Sequence, residues 1–398
     1  MKKLTDSIYY CGVLNPNMRV FDVIMRTEYG TSYNSYIVRG SEKTAIVEAA
    51  HRTFSNSYIG ELEEFFGDTA PDYLVLNHTE PDHTGCVAAL VTRWPGLTVV
   101  CSRPASVFIK AITNMPELAI QVVAEGDELD LGGRTLKFFP AMFLHWPDSM
   151  FTWVPEENAL FTCDFLGAHY CEPLVLDSEV VYENAYLDAA KYYYECIFGP
   201  FPSYVRAGLE IIRNLDVRTA LTSHGPVLTR GNYLECIIEA YGEWSAPVER
   251  TRKSVPIFYC TAYRNTQRLA EAVREGVLRA LPDADVGLYN IIEHDMGELA
   301  AKMNGSDAFL IGTITINRDA VPPVMQLLTL TDSVNIGKRP VAVFGTYGWS
   351  GEGFPHVAER LQSVGCRVYD TQFKVNFVPT DADIRAAADF GEQFAKTI

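Results

Sequence analysis

Short apolar runs recur along the chain, and the segments between them change character near residue 250. In the first part, Ser35-Tyr36-Ile37-Val38, Thr44-Ala45-Ile46-Val47 and Leu97-Thr98-Val99-Val100-Cys101 are rich in β-formers and bounded by Gly, Pro and Asn, which predicts strands. Tyr73-Leu74-Val75-Leu76 reads as a buried strand. Helical patterns intervene around Ser57 to Phe66 and Gly85 to Thr92, so few helices are expected among these strands. Such a mixture over the first 250 residues suits a layered α/β domain with two sheets. From Val255 the runs Val255-Pro256-Ile257-Phe258-Tyr259, Ala308-Phe309-Leu310-Ile311 and Val341-Ala342-Val343-Phe344 alternate with amphipathic stretches. Helices are predicted from about Asn265 to Ala280, Pro322 to Leu330 and Phe354 to Ser363. Strands apolar throughout and separated by helices indicate a parallel sheet covered on both faces. The charged stretch Arg250-Thr251-Arg252-Lys253-Ser254 separates the parts, giving domains over 1–250 and 254–398.

A chain of 398 residues exceeds what one core usually supports, which agrees with two domains. The formal charge of -17 disfavours nucleic acid and anionic membrane surfaces as partners, because phosphate would repel the protein. No run approaches the roughly twenty apolar residues needed to span a bilayer. The start, Met1-Lys2-Lys3-Leu4-Thr5-Asp6, turns polar too soon for a secretory signal. Nine scattered cysteines without a C-x-x-C pair fit reduced thiols in a cytoplasm. The same absence removes a rubredoxin-type iron centre or zinc ribbon from this polypeptide.

The strand at Tyr73–Leu76 runs into His78-Thr79-Glu80-Pro81-Asp82-His83, four potential metal ligands in six residues, read as a Pro-broken loop. Imidazole with carboxylate suits iron, manganese or zinc, and one or two ions could be held. Three further candidates each follow an apolar run: His145 after Ala141-Met142-Phe143-Leu144, Asp164 after Leu160-Phe161-Thr162-Cys163, and His224 after Ala220-Leu221-Thr222-Ser223. Each is placed where a β-rich run ends, which is how a sheet delivers ligands to one rim.

The second part carries three candidate ligand loops. Thr261-Ala262-Tyr263-Arg264-Asn265-Thr266 follows the run ending at Tyr259 and opens a helix, an anion site suited to a phosphate monoester. Thr313-Ile314-Thr315-Ile316-Asn317 and Thr346-Tyr347-Gly348-Trp349-Ser350-Gly351 follow the next two runs. All three lie at the C-terminal ends of expected parallel strands, where such folds bind ligands. Trp349 and Tyr347 offer flat apolar faces, and the glycines permit close approach of the backbone.

The motif H-x-[EH]-x-D-H followed by a His, an Asp and a His at wide spacing resembles the metallo-β-lactamase fold. Hydrolases of that fold usually carry His where this chain has Glu80, and a carboxylate moves the site from zinc toward iron. This version resembles the flavodiiron proteins (A-type flavoproteins), as do His145-Trp146-Pro147-Asp148-Ser149-Met150, Gly30-Thr31-Ser32-Tyr33-Asn34 and Tyr347-Gly348-Trp349-Ser350-Gly351-Glu352. The resemblance implies a metallo-β-lactamase-like αββα sandwich followed by a flavodoxin-like doubly wound parallel sheet. It puts His78, Glu80 and His145 on one iron, and Asp82, His83 and His224 on a second, with Asp164 bridging. It also implies FMN in the three loops, and electron transfer from FMN to the two irons with reduction of dioxygen to water and/or nitric oxide to nitrous oxide. A head-to-tail homodimer or a dimer of dimers is implied too, as is a separate electron donor, a rubredoxin-like protein or a reduced deazaflavin coenzyme. Many relatives have a His near Asp22, where this chain has Val20-Phe21-Asp22.

Two rival classes differ in chemistry. A dinuclear zinc hydrolase with an appended flavodoxin module is opposed by Glu80 and the flavin loops. A non-enzymatic electron carrier or redox sensor with a vestigial metal site is opposed by the complete ligand set.

Overall fold

A computed structural model describes residues 1–247 and 250–398, which fall into two compact units, Met1–Pro247 and Val248–Ile398. The first unit holds a seven-stranded sheet in the order Lys2–Lys3, Ile8–Tyr10, Tyr36–Arg39, Thr44–Val47, Tyr73–Leu76, Thr98–Cys101, Ile120–Val122. A six-stranded sheet follows the order Glu128–Asp130, Thr135–Pro140, Met150–Val154, Ala159–Cys163, Thr219–Thr222, Leu228–Thr229.

Side-chain alternation explains the layering. In Tyr73–Leu76, Val75 joins a core with Phe138, Phe161 and Leu221 of the second sheet, while Leu74 and Leu76 join another with Leu62 and Leu90 of the covering helices. A third core packs Leu160 and Ala220 against helical Tyr186, Leu209 and Ile237. Two sheets face to face with helices outside both is the αββα sandwich.

The expectation of few helices in this part is corrected, since Arg103–Thr113, Glu183–Tyr193, Pro202–Arg213 and Tyr233–Trp244 are also helical. These segments carry β-favouring Tyr, Ile and Val, and packing on the sheets overrides that propensity. Ala141 to Leu144 is likewise a turn rather than a strand end, because the strand stops at Pro140 and Met142 is exposed.

In the second unit every strand pairing of the main sheet is parallel. Its order is Leu288–Asn290, Ile257–Tyr259, Phe309–Thr313, Pro340–Tyr347, Arg367–Val368, with Phe373–Asn376 also on Pro340–Tyr347. In chain order this is 2-1-3-4-5, the flavodoxin-like winding. Helices Asn265–Ala280 and Asp381–Ala395 cover one face. Met296–Asn304, Pro322–Thr329 and Gly353–Ser363 cover the other. No described helix is long and apolar enough to cross a membrane.

Candidate metal centre and flavin pocket

All seven candidate ligands converge at one rim of the sandwich. His78 follows the strand Tyr73–Leu76, and Pro81 starts a helical turn, Pro81–Thr84, instead of breaking a loop. That turn aims Asp82 and His83 inward, and both are buried. Asp164 and His224 follow strands Ala159–Cys163 and Thr219–Thr222, and His145 stands on the turn before Met150–Val154. The sheets are fastened together at this rim. Thr152 Oγ1 donates to Asn77 Oδ1 at 2.6 Å, and Asn34 Nδ2 donates to the carbonyls of Thr222 and Gly225, each at 2.8 Å.

Two ligand groups form around the two oxygens of Asp164. Its Oδ2 lies 3.8 Å from His78 Nε2 and 3.5 Å from His145 Nε2, and both rings also face Glu80 Oε2, at 3.2 and 3.1 Å. Its Oδ1 lies 3.2 Å from His83 Nε2 and 3.4 Å from His224 Nε2. Asp82 completes that side, with Oδ1 3.4 Å from His83 and Oδ2 3.1 Å from His224. Despite these short distances, both oxygens of Asp82 and of Asp164 and both nitrogens of His83 are buried without a hydrogen bond. Donor atoms so close that point past one another at a shared centre suit cations, and mixed imidazole and carboxylate donors suit iron.

Neighbouring groups orient the rings. Asp148 Oδ1 sits 3.3 Å from His78 Nδ1, and Asp148 Oδ2 accepts from Thr79 N at 2.8 Å and from its hydroxyl at 2.6 Å. Burial works against ionisation of Asp148, but His78 and Thr79 overcome it and hold the carboxyl below its ordinary value. His224 Nδ1 lies 2.6 Å from the carbonyl of Ser32, leaving Nε2 for the site. Burial disfavours charge on His83, yet Asp82 and Asp164 push it up to about 10. Asp164 falls well below the usual carboxylate range, because His83, His145 and His224 outweigh its burial. The two shifts have one cause, the close packing of imidazoles against carboxylates.

Three residues at the centre were not singled out from the sequence. Glu48, buried at φ 57°, accepts from Asn77 N at 2.9 Å and groups with His83 and Cys163. Burial first, against the pull of His83, lifts its carboxyl to about 7. His169 meets Thr31 Oγ1 at 2.8 Å through Nδ1, with its ring 4.8 Å from that of His224. Asp148 was visible only as part of a turn. Its strand-end position marks Glu48 in retrospect, whereas His169 follows no apolar run. Asp22 stands on the turn between Val20–Phe21 and Met25–Arg26. Its carboxyl is pushed up to about 7 by burial and then by Glu80.

In the second unit the three loops do sit at the C-terminal strand ends. Thr315, Ile316, Asn317, Gly348, Trp349 and Ser350 line one cavity of about 290 Å³, together with Arg318. Trp349 is 99% exposed, so it is no core residue and its face is free for a ligand. Thr266 and Thr346 join hydroxyls at 2.8 Å beside the start of the helix at Asn265. The hydroxyls of Thr261 and Thr315 are buried without a partner, which suits a phosphate and a polar ring edge. Ala262, Tyr263 and Arg264 form the turn before the helix, with Tyr263 exposed and Arg264 at φ 63°. Thr313 Oγ1 is engaged by the carbonyl of Ile314, and Tyr347 packs edge-on against Phe354 with Gly351 nearby.

Comparison with known proteins agrees with both units. A family model described as ODP family beta lactamase matches residues 31–225, and the flavodoxin model matches 257–391. The chain is 43% identical over 397 residues to flavo-diiron protein FprA2 of Clostridium acetobutylicum, covering 100% of this chain and 99% of that one. It is 33% identical to type A flavoprotein fprA of Rhodobacter capsulatus, covering 98% and 90%. It is 32% identical to the anaerobic nitric oxide reductase flavorubredoxin of Vibrio vulnificus, covering 93% and 75%. Among solved structures, the flavodiiron protein of Giardia intestinalis superposes with a TM-score of 0.67 at 25% identity, covering 99% and 96%. With both family models and full-length similarity in agreement, the chain belongs to the flavodiiron proteins, oxidoreductases that pair an FMN-binding flavodoxin domain with a β-lactamase-like diiron domain.

Proposed function

We propose that this enzyme passes electrons from FMN to two irons that reduce dioxygen to water, nitric oxide to nitrous oxide, or both. The observation that carries this reading is Asp164, whose two carboxylate oxygens face two separate sets of ligands. In this reading His78, Glu80 and His145 would hold one iron and Asp82, His83 and His224 the other, with Asp164 between the two groups. When bound, the ferrous pair supplies electrons and open positions for a diatomic molecule, and FMN restores the electrons.

The chain's own residues shape that chemistry. Asp148 keeps a proton on His78 Nδ1 and the Ser32 carbonyl keeps one on His224 Nδ1, so each Nε2 lone pair faces inward. Glu80, Asp82 and Asp164 offset most of the charge of two dications. Trp146, Phe198 and Tyr193 stand around the imidazoles at ring separations of 4.9 to 6.3 Å and limit the access of water. For the flavin, the helix start at Asn265 with Thr261 and Thr266 would take the phosphate, and the cavity under Trp349 the ring.

The working form is a head-to-tail homodimer, in which the flavin of one subunit serves the irons of the other. Exposed apolar side chains near each site support this: Val23 and Ile24 beside Asp22, and Tyr263, Trp349 and Phe377 in the flavodoxin unit. Electrons come from a separate cytoplasmic donor, a rubredoxin-like protein or a reduced deazaflavin. The test is anaerobic stopped-flow of the iron-loaded, reduced protein against each gas. Reoxidation of the flavin together with gas consumption is expected. A colourless protein that binds zinc and hydrolyses a lactam or thioester would refute the reading.

A further inference from the structure

The hairpin beside the flavin cavity holds a residue that its geometry disfavours. Thr315–Ile316 pairs with Asp319–Ala320, leaving Asn317 and Arg318 as a two-residue turn at φ 53° and 63°. Such a turn needs positive φ at both central positions, and glycine is the usual choice for the second. An arginine there carries a side chain into a region where its Cβ is crowded. Such a conformation persists only where surrounding contacts hold it.

Arg318 lines the same cavity as Gly348 and Trp349. Its Nε donates to Glu352 Oε1 at 3.1 Å, so the guanidinium ties the second flavin loop to the third. The second carboxylate oxygen of Glu352 is buried without a partner, so Arg318 is the cation that this carboxylate meets.

We propose that Arg318 is a potential-setting residue: a solvent-exposed cation at the rim of the cavity, paired with Glu352, that favours the reduced, anionic form of FMN. The inference rests on this cavity being the flavin site. Two electrons and one proton, supplied by the enzyme's donor and by water, convert the oxidised ring to the hydroquinone anion. That step adds one negative charge to the ring. A nearby cation stabilises the product more than the reactant. The chain's overall charge of -17 acts in the opposite sense, so a local positive charge has a bias to offset. Glu352 holds Arg318 in place and partly neutralises it.

The test uses full-length apoprotein reconstituted with FMN, with the affinity for oxidised flavin and the midpoint potential measured on the same samples. The two together give the affinity for reduced flavin even in a variant that binds weakly. For Arg318→Gln the preference for reduced over oxidised FMN is expected to fall about tenfold, which is about 30 mV in a two-electron couple. Arg318→Gly keeps the turn and should shift equally, and Arg318→Lys should stay close to the native value. Unchanged potentials in both Arg318→Gln and Arg318→Gly overturn the proposal, as does a Lys variant that shifts as far as Gln. Quenching of Trp349 fluorescence by FMN, lost in Trp349→Phe, reports occupancy of this cavity. Without that quench the flavin lies elsewhere and the site reading itself fails, whereas quenching with unmoved potentials removes only the role of Arg318.

Discussion

Replacing Asp148 by Asn should weaken one iron and spare the other. The carboxylate is fully buried and takes three contacts, from the His78 ring at 3.3 Å and from the Thr79 amide and hydroxyl at 2.8 and 2.6 Å. An amide of the same shape keeps one acceptor oxygen and turns an NH₂ toward a donor that had been satisfied. Solvent does not reach the position, so the lost contact is not replaced by water. A charge-assisted hydrogen bond contributes roughly 1.5–3 kcal/mol, which corresponds to about a ten- to hundredfold loss of affinity. That agrees with the usual effect of removing a group that orients a metal-bound imidazole. The loss should fall on the ion beside His78, Glu80 and His145. The Asp82, His83 and His224 side has its own orienting group in the Ser32 carbonyl. Anaerobic ferrous titration of the metal-free variant should resolve one weakened and one native-like step. Equal weakening of both steps, or native affinity at both, would refute the reasoning.

Thr266→Ala removes the bond to the Thr346 hydroxyl at the helix start. It should weaken FMN binding about tenfold, with the iron content unchanged, as read by flavin fluorescence and metal analysis. Gly276→Ala would place its Cβ 1.8 Å from the Ala388 carbonyl oxygen, a backbone atom that cannot yield without parting two helices. A cost of about 3 kcal/mol or more is expected, lowering the melting temperature of the flavodoxin unit by roughly 6–12 °C in calorimetry. Stripping the metal should lower the melting transition of the first unit, and restoring ferrous ion at about a thousandfold excess over its dissociation constant should return about 4 kcal/mol. A first-unit transition indifferent to chelation would contradict a buried two-ion site.

The convergence of the candidate ligands was legible because they are chemically distinctive residues that stand at or shortly after apolar runs, a local signal. His78, Asp164 and His224 all follow real strands, and the error at Ala141–Leu144 moved the turn carrying His145 without moving the ligand. Trp349 could be read as core or as ligand-facing from type alone, and only its 99% exposure decides. The orienting groups were hidden because their partners are distant in sequence. Asp148 meets His78 seventy positions away, and Ser32 meets His224 across 192. Arg318 was hidden for another reason. Its meaning comes from a positive φ that no pattern of apolar residues reports.

The two ligand sets also divide across the sandwich. His78, Glu80, Asp82 and His83 follow a strand of the first sheet, whereas His145, Asp164 and His224 come from turns of the second. Each set therefore takes donors from both sheets, so any ion held there cross-links them. That geometry depends on the spacing between the sheets being fixed before metal arrives, since a shift of about 1 Å would spoil coordination distances near 2 Å. The bonds from Thr152 to Asn77, and from Asn34 to Thr222 and Gly225, lie at the same rim and set that spacing without metal. Asn34 and Asn77 sit on the first-sheet side, so these amides act as the metal-independent counterpart of the ions. The Gly30-Thr31-Ser32-Tyr33-Asn34 segment thus supplies the Ser32 carbonyl that orients His224 and the Asn34 amide that holds His224's own loop. One short stretch couples the position of a candidate ligand to its orientation, although none of its residues is itself a candidate ligand.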